Sequence, residues 1–149
     1  MKSFLCKGKY PIIKWSRLPQ EIYFEGPLPK GYSLAIVPGD GYIVIDVDRH
    51  GNVDGFNNIP KEHKEELYKT LNYPTKNNGR HFWFRYKDKK VLGNKASKFG
   101  IDIRVNNKGY VIWYPSYDIR DNLDSINVTS NDLNDWLVEL FSYKNKKTN

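Results

Sequence analysis

Two carboxylates sit two residues apart at the end of an apolar run, Ile43-Val44-Ile45-Asp46-Val47-Asp48, and they are the natural starting point for chemistry in this chain. Along an extended strand alternate side chains share a face, so Asp46 and Asp48 lie side by side with Val44, while Ile43, Ile45 and Val47 turn the other way. Two more segments repeat the pattern. In His81 to Tyr86, Phe82, Phe84 and Tyr86 oppose His81, Trp83 and Arg85; in Gly100 to Val105, Ile101, Ile103 and Val105 oppose Asp102 and Arg104. If these strands are neighbours with their apolar faces turned to one core, Asp46, Asp48, His81, Asp102 and Arg104 gather on the other face. Three carboxylates held that close repel one another, and cations between them relieve the repulsion. Mg²⁺ and Mn²⁺ take hard oxygen ligands and keep positions free for water or phosphate. An Asp-x-Asp strand with a third Asp supplies the ligands of a two-metal phosphoryl-transfer site.

Each residue alone also has an ordinary reading. Asp46 and Asp48 suit a solvated strand end, His81 a half-buried structural histidine, and Asp102 with Arg104 a surface ion pair worth little. Their coincidence on one face of otherwise apolar strands favours the functional reading. The turn Thr75-Lys76-Asn77-Asn78-Gly79-Arg80-His81 adds backbone N–H groups and two cations, Lys76 and Arg80, suited to a triphosphate; its ordinary reading is a hairpin loop. Lys87, Lys89, Lys90, Lys95 and Lys98 form a basic loop suited to a nucleic-acid backbone, and Trp83 or Trp113 could stack on bases.

The elements that must position these residues are short. Strands are expected over Tyr10–Trp15, Ser33–Val37, Tyr42–Asp48, His81–Tyr86, Gly100–Val105 and Gly109–Tyr114, each bounded by Gly, Pro or Asn. A helix over Lys61–Leu71 follows Pro60 and puts His63, Leu67 and Leu71 on one side. A second, over Thr129–Phe141, carries Leu133, Trp136, Leu137, Leu140 and Phe141 at helical spacing behind a Thr-Ser-Asn cap region. The segment Leu18–Lys30, with Pro19, Pro27 and Pro29, reads as an irregular connection. This mixture implies an α+β domain whose mixed or antiparallel sheet is covered by helices on one face, with the site on the open face.

The 149 residues suit a single domain, over 1–143, followed by a flexible basic tail over 144–149. Hydrophobic residues make up 39% and aromatics 15%, enough to build a core and to argue against disorder. The net charge of +7 favours polyanionic partners, nucleic acid or nucleotides. The lone Cys6 excludes an internal disulfide framework and fits a reducing compartment, so the cytoplasm is the expected location. No apolar run suits a signal peptide or a membrane span, and no membrane partner is expected.

In order and spacing, the motifs resemble the bifunctional primase/polymerase family of the archaeo-eukaryotic primase superfamily. The resemblance covers roughly Lys9 to Ser116. It rests on Lys9-Tyr10-Pro11-x-x-x-Trp15, a Gly-rich turn before the strand ending Ile45-Asp46-Val47-Asp48, Thr75-x-x-x-Gly79-x-His81, Gly100-Ile101-Asp102-Ile103-Arg104, and Gly109-Tyr110-Val111-Ile112 with Pro115-Ser116. The family usually carries Ser or Gly before its histidine, where this chain has Asn77-Asn78-Gly79-Arg80, and the stretch from Trp15 to Gly31 is compressed.

The resemblance implies an RNA-recognition-motif-like sheet with Asp46, Asp48 and Asp102 as metal ligands, His81 on the phosphates of the incoming nucleotide, and Arg104 near triphosphate or template. It further implies a template-dependent nucleotidyltransferase, a primase or DNA polymerase, using two Mg²⁺ or Mn²⁺ ions, nucleoside triphosphates and single-stranded or primed DNA. With neither a priming region nor a helicase following, the chain resembles a minimal stand-alone version of the kind encoded by phages and mobile elements. A separate helicase or replisome protein would then be its partner and the host cytoplasm its location. Two other classes fit the same residues: a catalytically silent regulatory or nucleic-acid-binding protein on a primase-like fold, and a metal-dependent nuclease.

Overall fold

β-Branched and aromatic residues dominate the segments that pair in the computed structural model, which describes residues 1–39, 41–86, 96–105 and 107–147. In chain order the elements are β1 (Lys2–Lys7), β2 (Tyr10–Pro11), β3 (Tyr32–Val37), β4 (Tyr42–Val47), β5 (Arg49–His50), β6 (Val53–Asp54), α1 (Lys61–Lys69), β7 (Asn72–Pro74), β8 (Arg80–Arg85), β9 (Ile101–Val105), β10 (Val111–Trp113), β11 (Asn127–Val128) and α2 (Asn131–Lys147). The protein is an α+β fold. One sheet runs β11-β8-β4-β9, with β7 also on β8, and a second runs β10-β3-β1-β2. Every pairing is antiparallel except that of β11 with β8.

The helices cover one face of the first sheet. Ile43, Ile45 and Val47 of β4, Phe82 and Phe84 of β8, and Ile101, Ile103 and Val105 of β9 pack with Leu67 of α1 and Leu133, Leu137 and Phe141 of α2. Burying a side chain of this size stabilises the fold by about 1.5–3 kcal/mol, which is what holds a nine-residue helix too short to persist alone. Ser130 caps α2 by accepting from Leu133 N–H, and its own N–H and hydroxyl donate to Glu66 of α1, at 2.7 and 2.6 Å. His63 stacks on Trp136 to join the two helices.

The opposite face is not left open along its length. Val44 and Trp83 pack there against Ile36 of β3 and Val111 and Trp113 of β10, so the second sheet roofs half of the face on which the acids lie. Trp83 and Trp113 are 0% and 5% exposed. The expectation that they stack on bases is therefore corrected: they are core residues between the two sheets.

Other differences follow from tertiary packing. β1 has no counterpart among the expected strands because its lysines hide it; Lys2 is buried between β1 and the Leu18 carbonyl, which its Nζ meets at 2.8 Å. The strand expected over Tyr10–Trp15 shrinks to β2, and Trp15 begins a 3₁₀ turn that stacks on Phe4. α1 stops at Lys69, so Leu71 leaves the helical face and joins the core between the sheets. The helix of α2 continues to Lys147, past residue 143. Among the described residues, no helix is long and apolar enough to cross a membrane.

Candidate active site

The register of three strands sets the site. β8 and β9 flank β4 on its two edges, and Asp46 is paired directly with His81 on one side and Asp102 on the other. Asp48, just past the end of β4, keeps the alternation and brings its carboxylate to the same group. One oxygen from each of Asp46, Asp48 and Asp102 lies within 4.8 Å of the others.

Backbone contacts pin two of the acids, Asp48 and Asp102. Asp48 N–H donates to Gly100 O and Asp48 O accepts from Gly55 N–H, both at 2.8 Å. Gly55 and Gly100 touch back to back here: a Cβ on Gly55 would stand 2.2 Å from Gly100 O, and Gly100 has a φ of +76°. Neither position has room for a side chain. Gly79 presses on the same strand end, where a Cβ would lie 2.5 Å from Val47 O and 3.2 Å from Asp48 Oδ1. Asp102 Oδ1 accepts from Ser97 N–H at 3.0 Å, and the Ser97 hydroxyl donates to Ile101 O.

The electrostatics match a cation site. Burial, then the neighbouring Asp46 and Asp102 charges, push the Asp48 carboxyl above its ordinary pKa. Asp46 Oδ1 is buried and, among the described residues, accepts no hydrogen bond and has His81 Nε2, 3.4 Å away, as its closest cation-capable atom. An orphaned buried oxygen beside two more carboxylates fits a hard divalent ion, which would supply the missing partner.

These residues open into a cleft of about 440 Å³ lined by Asp46, Asp48 and His81 together with Lys9, Lys76 and Arg104. Thr75, Asn77, Tyr110 and Tyr114 complete its polar walls. The cleft therefore combines clustered carboxylates with three cationic side chains, an arrangement suited to a polyphosphate held against a metal ion.

Of the residues singled out from the sequence, Asp46, Asp48, His81, Asp102, Arg104 and Lys76 are brought together. Arg80 is not: one residue from His81, alternation turns it to the helix-covered face, where its guanidinium lies 5.6 Å from the Tyr68 ring centre. Lys98 is exposed beside Phe99, whose ring centre is 5.5 Å from its Nζ. Lys87, Lys89, Lys90 and Lys95 lie outside the described residues. Sequence reasoning from strand alternation passed over Lys9, Tyr73, Tyr110 and Tyr114. Tyr73 is buried beneath His81 and bonds to it and to Trp83; nothing local marks it, because its partners arrive through β-pairing.

Residues 12–134 of the 149 match the family model described as bifunctional DNA primase/polymerase, N-terminal. No curated protein matches the chain.

Proposed function

The chain belongs to the bifunctional DNA primase/polymerase N-terminal family, and on that premise we propose that its cleft carries out template-directed nucleotidyl transfer. The observation that carries this reading is the in-register placement of Asp46 between Asp102 and His81, with an orphaned buried oxygen facing the same cleft as Lys9, Lys76 and Arg104. A primer 3′-hydroxyl attacks the α-phosphorus of a nucleoside triphosphate, a new phosphodiester bond forms, and pyrophosphate leaves.

Asp46, Asp48 and Asp102 would hold two Mg²⁺ or Mn²⁺ ions, which when bound acidify the attacking hydroxyl and neutralise charge on the phosphoryl oxygens. His81 and Lys76 orient the triphosphate by donating hydrogen bonds to its oxygens. Arg104 and Lys9 neutralise the template or primer backbone, and Lys87, Lys89, Lys90, Lys95 and Lys98 would add further phosphate contacts. The buried, unpaired Cys6 agrees with the cytoplasm, or the host cytoplasm for a phage or mobile-element protein, as the place of action. A separate helicase or replisome protein would open the template.

The test is incubation with labelled primed and unprimed template, nucleotides and Mn²⁺. Extension is expected from the natural chain, and background incorporation with retained DNA binding from the Asp46→Asn, Asp48→Asn double variant. Shortening of the template would instead identify a nuclease, and a mobility shift without chemistry a regulatory protein; either replaces the polymerase reading.

A further inference from the structure

Beneath the cleft, Trp83, Tyr73 and His81 form a hydrogen-bonded chain whose direction follows from donor chemistry. Trp83 Nε1 lies 2.9 Å from the Tyr73 hydroxyl oxygen, and His81 Nδ1 lies 3.1 Å from it. Trp83 is 0% exposed, and Tyr73 and His81 are 5% each, so water does not complete these bonds. The indole N–H donates only, so Tyr73 accepts from Trp83. The phenol must then place its own proton. Burial raises the Tyr73 pKa well above its ordinary value and keeps that proton on, and among the described residues the one remaining partner of the hydroxyl is His81 Nδ1. Nδ1 therefore accepts, and the imidazole proton sits on Nε2.

We propose that the Trp83–Tyr73 pair fixes His81 as the Nε2–H tautomer, making Tyr73 a positioning residue that turns His81 into a hydrogen-bond donor and bars it from ligating the cation.

A second contact agrees. Nε2 faces Asp46 Oδ1 at 3.4 Å. An N–H at that position is attracted to the carboxylate, whereas a lone pair would be repelled by it. In the opposite tautomer, Nδ1–H would donate to Tyr73 and leave the phenol proton buried without an acceptor, a penalty that the native arrangement avoids. Histidines that ligate metals show the reverse of this arrangement, donating their distal N–H to a fixed acceptor while the other nitrogen's lone pair meets the ion. The same stack of rings lets an aromatic core lie directly beneath a charged cleft: Tyr73 also packs edge-on against His81 and Trp113, at ring-centre distances of 5.2 and 4.9 Å. The donor's target, the phosphates of a nucleotide, rests on the polymerase reading; the tautomer does not.

The experiment is ¹⁵N–¹H correlation of the imidazole rings in the full chain without metal, at alkaline pH so that the neutral rings are observed. Three histidines are present, and His50→Gln and His63→Gln variants identify the His81 signals by elimination. The expected spectrum has a protonated, pyrrole-type Nε2 and an unprotonated Nδ1 for His81, and in Tyr73→Phe these signals move toward the averaged values of a free imidazole. Because the natural chain alone reports the tautomer, a Tyr73→Phe variant that fails to fold does not protect the proposal. A pyrrole-type Nδ1 in the natural chain overturns it. So does loss of the His81 Nε2–H signal on saturation with Mg²⁺, the mark of an Nε2 lone pair turned to the ion; persistence of that signal is expected. A chain with the expected tautomer that incorporates no nucleotide refutes the polymerase reading and leaves the positioning role intact.

Discussion

Replacing Asp48 by Asn should stabilise the metal-free protein and destabilise the metal-loaded one relative to the natural chain. One carboxylate oxygen from each of Asp46, Asp48 and Asp102 lies within 4.8 Å of the others, and two unit charges at 4.8 Å repel by about 3.5 kcal/mol at an effective dielectric of 20 and about 1 kcal/mol in water. Asp48 faces two such neighbours but is only half-buried, so solvent screening reduces the relief on neutralisation to about 1–3 kcal/mol. For a domain of this size that corresponds to a rise of about 2–10 °C in melting temperature.

The sign follows from linkage. The folded-state pKa of Asp48 is raised, so its charged form opposes folding: the stability is present at low pH and is lost as pH rises through the raised value. The advantage of Asp48→Asn is thus full near neutral pH and above, and vanishes where the natural carboxyl is itself protonated. Millimolar Mn²⁺ should invert the order, because an ion bound only by the folded state adds about 2.7 kcal/mol at a concentration of 100 times Kd, and the variant has lost a ligand. Thermal unfolding of both proteins with chelator and with Mn²⁺ provides the assay. A variant that melts below the natural chain in chelator, or equal responses of the two to Mn²⁺, would refute the charge-cluster reasoning.

Gly55→Ala drives a methyl group into Gly100 O and should cost about 1–3 kcal/mol while displacing Asp48, so unfolding and Mn²⁺ titration should both register it; an unchanged Mn²⁺ affinity would show that the glycine pair does not position the acid. Replacing Lys9 and Arg104 together by Ala should flatten the salt dependence of single-stranded DNA binding by about 0.7 in logarithmic slope for each phosphate no longer neutralised, measured by fluorescence anisotropy across a salt series; an unaltered slope would place the DNA backbone elsewhere. Mn²⁺ affinity should weaken as pH falls through the raised Asp48 pKa, because the proton and the ion compete for the same oxygen, and isothermal titration at several pH values would expose a flat profile if Asp48 is not a ligand.

Much of the site was legible before the fold. Strand alternation follows from covalent geometry, so the shared face of Asp46 and Asp48, of His81 and Trp83, and of Asp102 and Arg104 could be read from residues alone. The helix-facing set was equally legible, because Ile43, Ile45, Phe82, Phe84, Ile101 and Ile103 alternate strictly and Leu133, Leu137 and Phe141 recur at helical spacing. Arg80 shows the same rule from the other side: its placement away from the cleft was implicit in its being one residue from His81, although its charge and its turn suggested otherwise.

What the chain decides only on folding is which strands are neighbours and what covers the face that carries the acids. Local pattern specifies a face but not its partner, so nothing in Asp46-Val47-Asp48 announces that β9 and β8 flank β4 in the register that sets Asp102 and His81 opposite Asp46. Nor does Lys2-Ser3-Phe4-Leu5-Cys6-Lys7 read as an interior strand, because its burial is conferred by β3 on one side and β2 on the other. That second sheet encloses Trp83, Tyr73 and Trp113 and converts half of an open surface into core, leaving the acids in a cleft. Backbone geometry acts between adjacent residues and is written in the sequence; sheet assembly is a sum of contacts between residues tens of positions apart, and only the folded chain evaluates it.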